Sequence, residues 1–169
     1  VSEKELSEAI DGLRRVPLED LNPEDKSFLD TGLGSGLHPV AAVRLGFRTV
    51  VATDNDGESV KMTRGMAQRC GVAERISVAR GDILDSALKE RFDVVYSSAV
   101  LHHTGDVWRA IDAAANLVKP GDSLVIASYR KMWLCGLWRR IKHFHAVCRG
   151  QFRLLRYICC WKTKQWCET

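Results

Sequence analysis

Three aspartates and three glycines are the residues best placed to do chemistry. In FLDTGLGSGLHP, residues 28–39, an apolar run reaches Asp30, and Gly32, Gly34 and Gly36 follow at alternate positions around Leu33. Asp54 and Asp82 close two further β-branched runs, RTVVATD and RISVARGD. Glycines at a strand–helix junction let the main chain approach a ligand and take up turns closed to other residues. Two ligand classes use such a loop: dinucleotides and S-adenosylmethionine. The dinucleotide fingerprint GxGxxG asks for a third glycine at position 37, which is Leu37; here the glycine comes one residue early. Charge separates the two classes further. A pyrophosphate on the amides of a helix N-terminus is opposed by a carboxylate at Asp30, whereas a ligand carrying an ammonium and a sulfonium is suited by it.

Asp54, with Asn55 beside it, follows Gly32 by 22 positions and can accept hydrogen bonds from both hydroxyls of a ribose. Asp82 can take an adenine amino group, with Ile83 against the ring face. Each aspartate alone reads as a helix cap or turn residue. Three of them at successive strand ends, beside a glycine loop, point to S-adenosylmethionine. The rival readings are an NAD-type oxidoreductase and a binding module that transfers nothing.

Methyl transfer from a sulfonium is an in-line displacement on an activated carbon, so alignment and a dry pocket are the main demands. An oxygen or nitrogen nucleophile gains from a general base, and a neutral histidine suits that role near pH 7. His102 and His103 are the candidates; their plain role is to hold their loop by backbone hydrogen bonds. His38 is expected to pack against or cap the helix after the glycine loop, and His143 and His145 to lie on the surface of the tail. The six cysteines show no CxxC pair and no Cys/His ligand spacing, so no metal site is expected, and reduced thiols of a cytoplasmic protein are the natural reading.

The elements that must position these residues alternate. Strands are predicted over 26–31, 48–53, 75–80, 92–98 and 123–129. Helices are predicted over 37–45, 58–70, 84–91 and 106–118, and polar residues with helical spacing fill 1–25. Lys119-Pro120-Gly121 reads as a turn. Strands alternating with helices make βαβ units, hence a doubly wound, Rossmann-like α/β fold with a parallel sheet in the order 3-2-1-4-5. Ligands of such sheets bind beyond the carboxyl ends of the strands, at the loops after residues 31, 54, 82 and 98.

Charge divides the chain into two parts, a core over 1–130 and a tail over 131–169. The first holds 16 Lys/Arg against 20 Asp/Glu, net −4; the second holds 9 against one, net +8, with four of the five tryptophans. Apolar residues at 134, 137, 138, 141, 144 and 148 form a helical stripe, and a second helical stretch covers 152–161. Such a tail can dock on the core, act as a lid, or lie on an anionic membrane surface through 131–161. No apolar run reaches the ~18 residues of a membrane span, and no nucleic-acid motif accompanies the basic residues.

Taken together, the motifs resemble the class I S-adenosylmethionine-dependent methyltransferases over residues 26–130. Asp30 with Gly32, Gly34 and Gly36 matches the first motif. Asp54, Asp82 with Ile83, FDVVYSSAVLHH and LVKPGD match the later ones. The segment VLHHTGD, residues 100–106, is similar to that of bacterial methyltransferases of small molecules. The resemblance implies a methyl donor in the glycine loop, Ser97 and Ser98 near its methionine portion, and a small or lipid-like acceptor. Two departures stand out. Asp122 replaces a glycine usual after Lys-Pro-Gly, an exchange expected to be harmless in a turn. The antiparallel hairpin that ends the family's sheet has no counterpart in the sequence.

Overall fold

The computed structural model describes residues 2–15, 22–85 and 88–128. Five strands, β1 Ser27–Thr31, β2 Thr49–Asp54, β3 Ile76–Arg80, β4 Phe92–Ser98 and β5 Val118–Ala127, form one sheet in the order β3-β2-β1-β4-β5. Every pairing is parallel, as the expected order requires. The central strand β1 is buried at all five positions, which is why SFLDT lacks the polar alternation of a half-exposed strand.

Side-chain parity sorts the sheet into two faces. Phe28, Val50, Ala52 and Val94 face helices α1 Glu3–Arg14, α2 Leu37–Leu45 and α3 Gly57–Arg69. Leu29 and Val95 face Ala114 and Leu117 at the end of α4, Val107–Asn116. Burial of each such Val, Leu or Phe side chain contributes about 1.5–3 kcal/mol. Local signals start the helices: Ser2 and Glu5 make a capping box on α1, and Asp56 accepts the amides of Glu58 and Ser59 to start α3.

Three expectations about elements change. Among the described residues, the helix expected over 84–91 is replaced by a 3-10 turn at Ile83–Asp85, and residues 88–91 are not helical. Among the described residues, the polar run 1–25 gives a helix over Glu3–Arg14 and a 3-10 turn at Pro23–Asp25. The expected turn at 119–121 lies inside β5, which begins at Val118 opposite Phe92 and absorbs the extra residues in a register shift between Phe92 and Val94.

Asp122 also does more than fill a turn. It accepts an ion pair from Lys26 Nζ at 3.2 Å, and the same ammonium lies 3.2 Å from Asp93 Oδ1. Lys119 Nζ reaches Asp93 Oδ2 at 2.7 Å, and the Ser27 amide donates to that oxygen at 2.9 Å. Burial alone would raise the Asp93 carboxyl. Lys119, Ser27 and Lys26 outweigh it and hold the group far below the usual carboxylate range. This cluster ties together β1, β4 and β5 at the amino ends of the strands, the end away from the glycine loop. The tail, 131–169, with its expected helices and with His143 and His145, lies outside the described residues.

Candidate active site

At the carboxyl ends of the strands an open cleft encloses about 460 Å³, part of it continuous with solvent. Its lining includes Gly32, Asp54, Asn55, Asp82, Ile83 and His103. Those six were expected from the sequence. Thr31, Thr53, Gly81, Val100 and Thr104 also line it and were missed. Their only signal is position: Thr31 and Thr53 sit at strand ends, Gly81 follows one, and Val100 and Thr104 belong to the loop after β4.

The glycine loop is held on two sides. Gly32 N–H donates to the Thr53 carbonyl at 2.8 Å, and Leu33 N–H donates to Asp54 Oδ2 at 2.8 Å. The other carboxylate oxygen of Asp54 accepts the Asp56 amide at 2.9 Å. Asp54 thus fastens the loop to the end of β2, while each of its oxygens keeps a further lone pair for a ligand hydroxyl. Asp82 is exposed and accepts the Leu84 amide at 2.9 Å.

All three glycines have positive φ, +94° at Gly32, +49° at Gly34 and +78° at Gly36, but for three different surroundings. A Cβ on Gly32 would lie 2.0 Å from Val100 Cγ2, and one on Gly36 would lie 2.8 Å from Thr63 Cα. Only Gly34 faces open space, with nothing within 4 Å. Of the bare backbone that the sequence suggested for a ligand, two positions are bare for neighbouring side chains and main chain, and one is free for a ligand to approach.

Asp30 is fully buried, and it does not line the cleft. Its register partners are Ala52 and Tyr96, so it shares the face of Phe28 and Val94 and lies beneath the start of α2. Neither carboxylate oxygen has a hydrogen-bond partner. Burial, and after it the charge of Asp54, pushes this carboxyl well above its ordinary range. Beside it, Tyr96 Oη stands 3.4 Å from His38 Nε2, with ring centroids 4.8 Å apart. His38 therefore packs rather than caps; the N-cap of α2 is Gly36, without a side-chain bond.

Ser97 and Ser98 are not brought into the lining. Ser97 is buried and its hydroxyl donates to the Thr31 carbonyl at 3.3 Å, joining β4 to β1. His102 and His103 occupy a 3-10 turn, Leu101–His103, with ring centroids 4.0 Å apart. His103 is exposed to the cleft, whereas His102 is half-buried and outside its lining. Burial, then the neighbouring His103, lowers the His102 basicity and favours the neutral ring.

Among the described residues, the lining carries two carboxylates and no lysine or arginine. The two charged side chains would repel a pyrophosphate, whereas a cationic ligand with ribose hydroxyls finds partners in them. The residues fit S-adenosylmethionine.

Comparison with known proteins agrees. The family model for a methyltransferase domain matches residues 29–126, more than half of the chain. A ribosomal protein L11 methyltransferase of Haemophilus influenzae (strain PittEE) is 34% identical over 107 residues, covering 63% of this chain and 35% of that protein. The chain therefore spans about a third of the length of such curated relatives. An S-adenosylmethionine-dependent methyltransferase from Mesorhizobium loti has 27% identity and a TM-score of 0.56, over 70% of this chain and 55% of that one. A methyltransferase from Geobacter sulfurreducens, in complex with S-adenosyl-L-homocysteine, shares the fold with a TM-score of 0.58 at 23% identity, over 75% of this chain and 48% of that one. With its parallel sheet, glycine loop and acidic strand ends, the chain belongs to the methyltransferase domain family, in the class I fold whose cofactor is S-adenosylmethionine.

Proposed function

We propose that this chain transfers the methyl group of S-adenosylmethionine to an oxygen, nitrogen or carbon nucleophile of a small or lipid-like acceptor. The observation that carries the cofactor half is the acidic cleft wall, Asp54 and Asp82 with no basic side chain among the described lining residues, together with the sealed Asp30. When bound, the cofactor supplies a methyl on a sulfonium, already activated for in-line displacement. Asp54 and Asn55 would hold the ribose, Asp82 and Ile83 the adenine. The glycine loop of Asp30, Gly32, Leu33, Gly34 and Gly36, with Ser97 and Ser98 behind it, would surround the methionine portion. His103, open to the cleft, would accept the proton of an attacking hydroxyl or amine, and His102 would steady its ring.

A protein acceptor is the second reading. It is favoured by the relatives that are named ribosomal protein L11 methyltransferases, of which this chain covers the smaller share. The basic, tryptophan-rich sequence of 131–161 favours instead a peripheral contact with an anionic lipid surface. Among the described residues, no helix is long and apolar enough to cross a membrane.

The test of the cofactor reading is calorimetric titration with S-adenosylmethionine and, separately, with NAD, repeated on Asp82→Ala. Saturable binding of the first, weakened about tenfold or more by loss of a charged hydrogen bond worth roughly 1.5–3 kcal/mol, is the expected result. NAD binding, or a folded chain that binds neither, would overturn it.

A further inference from the structure

The two loops that bracket the cleft meet at Gly32 and Val100. Gly32 opens the glycine loop; Val100 follows β4. All three heavy atoms of the Val100 side chain lie within 2.8 Å of the place a Cβ on Gly32 would occupy, so the valine sits directly on the bare Cα. Both residues line the cleft. Gly32 is itself held to the end of β2, its amide donating to the Thr53 carbonyl at 2.8 Å.

The backbone on the other side is held as firmly. Ala99 is in the left-handed region at φ 60°, the one described residue other than glycine with a positive φ. A non-glycine residue held there costs about 1–2 kcal/mol. Its amide donates to the Ala127 carbonyl at 2.8 Å, which anchors the turn to β5. That unusual turn is what aims Val100 back over the glycine loop. The Val100 carbonyl then accepts the His103 amide at 2.8 Å, and Thr104 Oγ1 donates to the Leu101 carbonyl at 2.8 Å. The histidine turn is therefore built directly on the residue that rests on Gly32.

We propose that Val100 is a positioning residue: seated on the bare Cα of Gly32, it sets the separation between the glycine loop and the His102–His103 turn. It thereby fixes where the sulfonium end of the methyl donor lies relative to His103. Shape is what matters. A β-branched side chain has one strongly preferred χ1 rotamer and spreads two groups from Cβ; alanine lacks them, and leucine branches one atom too late. Threonine keeps the branch, and since Val100 is not fully buried a hydroxyl there can find water.

The inference rests on the reading of the cleft as the S-adenosylmethionine site, and the test separates the two. The full chain and its Val100→Ala, Val100→Thr and Val100→Leu variants are compared by calorimetric titration with S-adenosylhomocysteine. The imidazole nitrogen signals of His103 are recorded by NMR without and with that probe, assigned through His103→Gln. Thermal melting reports whether each variant folds. Expected are a binding loss of about tenfold in Val100→Ala and Val100→Leu, the scale of a missing or misplaced methylene in a pocket, and displaced His103 signals even without the probe. Val100→Thr restores both.

Unchanged affinity and superimposable His103 signals in a folded Val100→Ala protein would overturn the proposal, as would failure of threonine to restore them. If the unsubstituted chain does not bind the probe while the His103 signals still follow the shape of residue 100, the spacer role stands and the cofactor reading falls. Should Val100→Ala not fold, Val100→Ile, which lengthens the same wedge by one methylene, carries the same comparison.

Discussion

Replacing Asp30 with asparagine should make the protein more stable and a worse binder, by amounts set by pH. The carboxyl is fully buried, neither oxygen has a partner, and burial and Asp54 together raise its pKa well above 3.8. In the unfolded chain it ionises above about pH 3.8; in the folded chain it keeps its proton to a higher pH. Between those two points the native state binds one proton more than the unfolded state, so stability falls as pH rises, by 1.36 kcal/mol per unit. The sign is that of a raised carboxyl: its stabilisation is complete below the unfolded pKa and lost as pH climbs to the folded one. Asparagine has the same shape and no such slope. The stability difference between Asp30→Asn and the unsubstituted chain should therefore grow by about 1.4 kcal/mol per pH unit above about pH 4. It levels off once the folded carboxyl ionises. Urea unfolding of both proteins at half-unit steps of pH measures it, and titrating groups that do not interact with Asp30 cancel in the difference. Binding should move the other way, because a cationic ligand gains from an ionised Asp30. Titrations in buffers of different ionisation enthalpy should show proton release with aspartate and none with asparagine. A stability difference that is flat in pH would refute the placement of a sealed, partnerless carboxyl under the loop.

At the opposite end of the sheet, Asp93→Asn should destabilise the fold by about 2–3 kcal/mol. That is somewhat less than the loss of a fully buried partner, because Lys26 and Lys119 are partly open to solvent. Since the native Asp93 carboxyl is held below its ordinary range, the contribution should be complete above about pH 4 and shrink as pH falls further; chemical unfolding at neutral and acid pH reads both. The glycines should divide by surroundings rather than by motif. Gly36→Ala, with left-handed backbone and a contact 2.8 Å from Thr63 Cα, should cost about 2–5 kcal/mol from strain and overpacking combined. Gly34→Ala, in open space, should cost only about 1–2 kcal/mol while weakening S-adenosylmethionine binding, and melting curves set beside titrations separate the two.

Much of the architecture was legible in the chain because it rests on local patterns. Short β-branched runs alternating with helical spacing imply parallel βαβ units, and the handedness of their connections leaves few strand orders open. Strand ends locate the ligand loops in such sheets, so Asp54, Asp82 and Gly32 could be named before any coordinates. The misread elements were those that longer contacts control. The stretch 84–91 has helical composition, yet its described residues hold only the end of a 3-10 turn, Ile83–Asp85, and Lys119-Pro120-Gly121 has turn composition but is drawn into β5 by pairing with β4. Asp122 read as a harmless turn residue; its ion pair with Lys26, 96 positions away, could not be read from the sequence.

By itself, then, the sequence determined the class of sheet, the ends of its strands and an acidic, glycine-rich site suited to a cationic nucleoside. The tertiary structure alone decided what each of those residues faces. A strand turns each side chain to the face opposite its neighbour's, and helices laid across the sheet decide which side is sealed. Depth along the strands decides the rest: Asp30 lies buried opposite Ala52, Asp54 on the same face but at the very end of β2 opens to the cleft, and the bareness of Gly32 serves Val100, 68 positions further along the chain.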